Sequence, residues 1–359
     1  MKRWFKVLTS SLAVVLFITF SCAAFAAAPV KLRTAWLDEH EAFLVWYAKE
    51  KGWDKEEGLD IEMLLFSSGM AQLNALPAGE WVLAGTGAVP GMMGALRYGT
   101  YTIAVTNDES YTNALLLRPD SRYSRPKATT KTIRKYTDIR TTCAARRSSS
   151  PPCPPPLHPE PLAPRARPQG KRRNHQEHRS AQGLAAFDSG IGDGVCLWAP
   201  HMFFGMDKAG RSPEPPIPAA WACPPCSWAT RSSATPTPEL VAKFLRVFLR
   251  SANMLQKETP ESLAPEYCRF FQEFVGKSFT PEMAALDIKT HPVFNLEEQL
   301  ALFDGSKGQS KAAKWMADIA EFFASVGRIT PDELKVVKDG SYATDKFLKL
   351  VKQPIPDYK

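Results

Sequence analysis

Four short loops hold the side chains that could do chemistry: 37–40 with Asp38, Glu39 and His40, 67–69 with Ser67 and Ser68, 85–88 with Gly85, Thr86 and Gly87, and 107–110 with Asn107, Asp108 and Glu109. Hydroxyls and glycine amides at the start of a helix sit at the positive end of its dipole, which suits a carboxylate, sulfonate or phosphate group. Asp38, Glu39, Asp108 and Glu109 would repel such an anion unless the ligand also carried a cation, so the mixture points to a zwitterion or an amine. Each feature also has a plainer use. Small residues make tight turns, Asp38 with Glu41 reads as a capping box, Asp108 and Glu109 read as a solvated pair, and His40 reads as a surface residue beside a cleft.

The elements that place these loops follow from the hydrophobic pattern. "KLRTAW" reads as a strand, "AFLVWYAKEK" as a helix, and "LDIEMLLF" as a strand with Leu59, Ile61, Met63 and Leu65 on one face. A short helix "MAQLNAL", a strand "WVLA", a helix over 89–96 and a strand "YTIAVT" continue the alternation. Strands separated by helices make a parallel sheet, and all strand-to-helix loops then open on one edge, where ligands bind. From residue 236 the chain is helical, with starts at Thr237-Pro238, Thr280-Pro281, Asn295 with Glu298 and Thr330 with Glu333. Trp315, Met316, Ile319, Phe322, Phe323 and Val326 fall at helical spacing and read as core.

Other motifs carry little. Cys223-Pro224-Pro225-Cys226 has the spacing of a zinc half-site or a redox pair, but no second half-site exists. His158, His175 and His178 make no ligand set. The net charge of +8 is local: residues 122–180 hold 15 Lys and Arg against 3 Asp and Glu, leaving 30 against 34 elsewhere. The basic run "GKRRNHQEHR" therefore does not mark the whole chain as a nucleic-acid binder. No metal, no cofactor and no nucleic acid is expected, and the chain reads as a monomer.

The N-terminus places Lys2, Arg3 and Lys6 before an apolar run from Leu12 to Phe20, followed by Ala24-Phe25-Ala26. That order is a signal peptide over 1–26, giving a periplasmic or otherwise exported protein.

The alternation of strands and helices, the signal peptide, "GIGDGVCLWAPH" at 190–201 and the helical C-terminus together resemble the substrate-binding proteins of ABC importers, in the nitrate, sulfonate and taurine class. The resemblance implies an α/β, bilobal periplasmic-binding-protein-like fold with two parallel or mixed sheets flanked by helices. It implies a small-molecule ligand (a sulfonate, taurine-like or nitrogen compound) held between the lobes, and delivery to an ABC permease at the membrane. Asp38, His40, Ser67, Ser68, Gly85, Thr86, Gly87, Asn107 and Glu109 would face the ligand from lobe one, residues 27–121. Asp193, Trp198 and Pro200 would face it from the remnant of lobe two, residues 181–209, and the C-terminal part, 236–359, would pack on lobe one.

A second lobe of this class needs more strands than this sequence offers. Residues 122–180 carry ten prolines and almost no apolar periodicity, and 210–235 is also proline-rich; neither looks able to fold. We read both as translated from a shifted register of a GC-rich gene; a genuine basic, proline-rich insertion is the alternative. On the first reading lobe two is incomplete and binding is impaired. Two rival functions share the sequence: an enzyme on the same scaffold using Asp193 or His201 for acid–base chemistry, and an anion-binding adaptor centred on the basic segment.

Overall fold

The computed structural model describes residues 28–118, 180–192, 194–208, 226–229 and 237–359. The expected signal peptide, nearly all of 122–180, most of 210–235 and Asp193 lie outside the described residues.

The N-terminal alternation folds as its pattern predicts. Strand β1 (Val30–Trp36) leads to helix α1 (His40–Glu50), the short α2 (Trp53–Glu56) and β2 (Leu59–Leu65). Next come α3 (Gly69–Ala75), β3 (Leu83–Thr86), α4 (Ala88–Tyr98) and β4 (Tyr101–Val105). β1 pairs in parallel with both β2 and β3, in register Val30 to Leu59 and Thr34 to Leu83. Helix α1 is apolar around most of its circumference because it is packed on every side: Ala42, Phe43, Leu44 and Val45 are all fully buried.

Two features depart from expectation. The sheet order is β2-β1-β3-β7-β4, with β7 (Cys226–Ala229) antiparallel to both neighbours, so the sheet is mixed. β7 comes from the proline-rich stretch 210–235. Its four residues contain no proline, so each keeps the amide a ladder requires. The second departure is β5 (Asn113–Leu117), which lies within the span assigned to lobe one. It pairs antiparallel with β6 (Gly194–Trp198) in a separate sheet of two strands. Helices α5 (Ser180–Asp188) and α6 (His201–Lys208) cover this sheet, and Leu184, Val195, Leu197, Met202 and Phe203 form its core.

The C-terminal helices are α7 (Pro238–Lys257), α8 (Pro260–Phe270), α9 (Pro281–Thr290), α10 (Leu296–Phe303), α11 (Lys311–Ser325) and α12 (Pro331–Asp339). Thr237, Thr280, Asn295 and Thr330 cap α7, α9, α10 and α12 with their side chains, and the boxes Asn295–Glu298 and Thr330–Glu333 both form. The box read at Asp38 and Glu41 does not form: Glu39 is the N-cap of α1 and makes no side-chain cap. On α11, Met316 and Ile319 are buried as predicted, but Val326 is exposed, because the helix ends at Ser325 and Val326 is already its cap. No described helix is long and apolar enough to cross a membrane.

Candidate ligand-binding site

The ends of β1, β4 and β6 bring acids, histidines and one tryptophan together. Glu39 and Glu41 flank the start of α1, and Glu109 lies in the loop after β4. Their carboxylates converge, each offering an oxygen within 4.8 Å of the others. Gly85, at the end of β3, lies against this cluster: a Cβ there would meet the Trp36 ring at 2.5 Å and Glu41 Cγ at 3.0 Å. The glycine is therefore required by the close approach of Trp36 and Glu41.

Burial and mutual repulsion act together on the three acids. Burial pushes Glu39 well above the usual carboxylate range; Glu41 and Asp38 raise it further, and a hydrogen bond from the Trp198 indole partly offsets them. Glu41 is also pushed well up by burial, with Glu109 as the largest charged neighbour, and neither of its oxygens finds a partner on another residue. Glu109 is pushed up to about 8 by burial and by Glu39, although its residue as a whole keeps partial exposure. All three acids are thus shifted toward the protonated form, Glu109 with a value above neutrality.

Asp38 behaves in the opposite way. Burial alone would raise it, but the hydrogen bond from His201 and the Lys277 ammonium hold it well below the usual range. His201 Nε2 lies 3.5 Å from Asp38 Oδ2 and 3.4 Å from Lys277 Nζ, and Lys277 pairs directly with Asp38. This contact joins three parts of the chain: the loop after β1, the first turn of α6, and the segment after α8. The last of these is shaped by a π-helical turn (Phe271–Val275) ending in Gly276 at φ 76°, which presents Lys277.

Behind the acids lies a buried polar chain. The Tyr267 hydroxyl donates to Asp287 Oδ2 at 2.7 Å, and its oxygen is 3.2 Å from His40 Nδ1. His40 must therefore carry its proton on Nδ1, leaving Nε2 as an acceptor without a partner. Its ring stacks on His291 with centroids 4.8 Å apart, while His291 Nδ1 lies 3.0 Å from Asp287 Oδ1. Burial and the His291 charge keep His40 neutral. His291 is raised: burial opposes the charged form, but Asp287 outweighs it.

The structure thus brings together Asp38, Glu109 and Trp198 among the residues predicted to face a ligand. His40, read as a surface residue, is instead buried in the stack just described. Ser68 caps α3 by accepting from the Ala71 amide, while Ser67 is exposed. Thr86 is buried beneath Gly69 and Pro90, and its hydroxyl has no partner. Gly87 is the N-cap of α4. Asn107 is fully buried, with both side-chain amide atoms unpartnered. Pro200 is buried, and its carbonyl accepts from the amides of Phe203 and Phe204 at the start of α6. Sequence reasoning missed Glu41 as a site residue, and also Tyr267, Lys277, Asp287 and His291. Asp287 and His291 stand four apart, a visible spacing for a helical pair; nothing marked Lys277.

No protein-family model and no curated protein match the chain. Solved structures do resemble it. The alkanesulfonate-binding protein SsuA from Xanthomonas axonopodis pv. citri, bound to MOPS, superposes with a TM-score of 0.55 at 14% identity, covering 85% of this chain and 96% of its own. The ligand-binding component of an ABC-type import system from Staphylococcus aureus, with zinc bound, gives 0.56 at 10% identity, covering 90% and 99%. A Candida albicans gene product with the generic periplasmic binding protein structural fold gives 0.51 at 11% identity, covering 86% and 95%. At these identities the likeness is one of fold: the chain has the periplasmic-binding-protein fold.

Proposed function

We propose that this protein is the exported solute-binding component of an ABC importer, which captures a small polar ligand between its lobes and hands it to a membrane permease. The observation that carries this reading is the contact of Asp38, in the loop after β1, with His201, in the first turn of α6 directly after β6, at 3.5 Å. Two separate sheets thereby direct their strand ends at one place, where ligands bind in open α/β folds. Lys277 pairs with the same Asp38, and Trp198, at the end of β6, stands beside Glu39. Ligand trapping by closure of two lobes would act through these contacts. Likeness in fold to import-system binding proteins, one of them alkanesulfonate-binding, supports the assignment. Binding rather than turnover also fits His201, whose Nε2 is already engaged by Asp38 and Lys277.

Among the described residues the second lobe presents a sheet of two strands. We propose that so small a wall makes capture weak. Calorimetric titration of the full chain with sulfonates, taurine and simple amines tests both statements. The expected result is saturable binding with Kd of roughly 0.1–1 mM. Nanomolar binding would overturn the impairment, and no saturable binding across the panel would overturn the solute-binding reading.

A further inference from the structure

We propose that Glu39, Glu41 and Glu109 form a subsite for the primary ammonium group of a small organic ligand. This rests on the solute-binding reading and names the chemistry of one end of the solute.

Three observations lead to it. First, the three carboxylates converge without a cation of their own. Among the described residues no Lys, Arg or His forms an ion pair with any of them; the nearby cations are committed elsewhere, Lys277 to Asp38 and His291 to Asp287. Second, Glu41 is fully buried, yet both of its oxygens, directed at the other two carboxylates, lack a partner on any other residue. Leaving such atoms unmade is costly in a low-dielectric site, and a ligand carrying several N–H donors removes that cost. Third, Trp198 stands beside Glu39 and is only partly buried, so the cluster lies next to a residue that a ligand can reach.

The three oxygens suit a primary ammonium, and the calcium arm of the test separates it from a metal ion. A primary ammonium has three diverging donors, and acceptors at ~2.8 Å from its nitrogen stand ~4.6 Å apart, which fits three carboxylates within 4.8 Å of one another. Calcium takes six to eight oxygens and magnesium a near-octahedral set. Here the Trp198 indole already stands beside one of the three acids, Glu39. All three acids come from residues 28–118, so the subsite does not depend on a complete second lobe.

Charge coupling gives an independent readout. Asp38, Asp108, Asp287 and His291 are the charged groups acting on the three acids; burial and the three aspartates push the carboxyls up, and His291 opposes this at Glu109, which still lies at about 8. Ammonium binding favours the ionised carboxylates, so it must release protons, and affinity must rise with pH toward 8.

The test is calorimetry on the full chain at pH 8 with ethylammonium, tetramethylammonium and sodium ethanesulfonate in phosphate and in triethanolamine buffers, neither of which carries a primary ammonium, and with calcium chloride in triethanolamine alone. Ethylammonium should bind with Kd of about 1 mM, near the ceiling for so small a ligand. Its apparent heat should differ between the buffers, because protons are released. E41Q and E109Q should each weaken it at least tenfold with an unchanged far-UV circular dichroism spectrum, and tetramethylammonium, which has no N–H, should not bind. Affinity in E41Q or E109Q equal to the parent's, equal binding of tetramethylammonium, displacement of ethylammonium by calcium, or no cation binding would each overturn the proposal. In any of these cases, saturable binding of ethanesulfonate keeps the solute-binding reading; its absence from an otherwise silent panel removes that reading too.

Discussion

A carboxyl group kept neutral by burial stabilises the fold only while it stays neutral. Glu109 is pushed to about 8 in the folded chain and returns to about 4.3 when unfolded, so between those values the unfolded state binds fewer protons. Stability must fall as pH rises through that window, by a few kcal/mol at most once partial exposure is allowed for. E109Q removes the slope: its stability relative to the parent should increase from pH 4.5 to pH 8.5 in urea titrations, and a constant difference would show that Glu109 is not held neutral. Asp38 carries the opposite sign. Its folded carboxyl is depressed by His201 and Lys277 against the burial that would raise it, so its contribution is present above about 3.9 and is lost as pH falls. D38N should cost about 1–3 kcal/mol at pH 7, and the gap to the parent should narrow on acidification without vanishing by pH 3, because the folded carboxyl is still ionised there; urea midpoints at pH 7 and pH 3 measure it. The raised groups were hidden from sequence reasoning because a carboxyl's protonation depends on burial and neighbours far along the chain. Asp287 and His291 act on acids more than 170 positions away.

Elements with a strong local pattern were legible and those whose form is set by distant partners were not. Thr237, Thr280, Asn295 and Thr330 announced their helices through polar caps and prolines, and all four cap as read. At Asp38 the same spacing misled, because Lys277 and His201 compete for the carboxylate and Glu39 takes the cap position instead. β7 could not be foreseen: a strand of four residues has no period to detect, and its stability comes from the ladders of β3 and β4 on either side. Gly85 shows how a turn glycine can serve packing. It was read as a donor to a ligand, yet a Cβ would strike the Trp36 ring at 2.5 Å. G85A should therefore destabilise by about 1–3 kcal/mol through overpacking and should also shift Glu41. A denaturation midpoint equal to the parent's would show that the Trp36 ring yields freely.

The larger lobe is assembled from the two ends of the chain, so its stability depends on contacts that span almost the whole sequence. One core cluster joins Leu32, Phe43, Leu59 and Val105 to Phe244, Phe248, Tyr267 and Phe347. The C-terminal part also extends the first sheet: the Thr102 amide donates to the Tyr342 carbonyl, and the Thr102 carbonyl accepts from the Thr344 amide. The final residues then lie over α7. Arg246 donates to the carbonyls of Lys352 and Pro354 at 3.0 and 2.9 Å, and Arg250 donates to that of Asp357 at 2.8 Å. Arg250 is only 9% exposed and stacks on Trp53, so it cannot turn to water when an acceptor is lost. Glu56 and Glu57 hold part of each guanidinium from α2 and the residue after it, which locks the tail, α7 and α2 into one unit. Ending the chain at Val351 removes three charge-assisted bonds together. Because Glu56 and Glu57 remain, the loss should be well below the sum of three separate bonds, about 2–4 kcal/mol. The urea midpoint should drop accordingly, and R250A in the truncated chain should cost less than R250A in the full one. If the two costs are equal, the tail does not act through Arg250, and the closure of the lobe must rest on the Thr102 pairing and the apolar core alone.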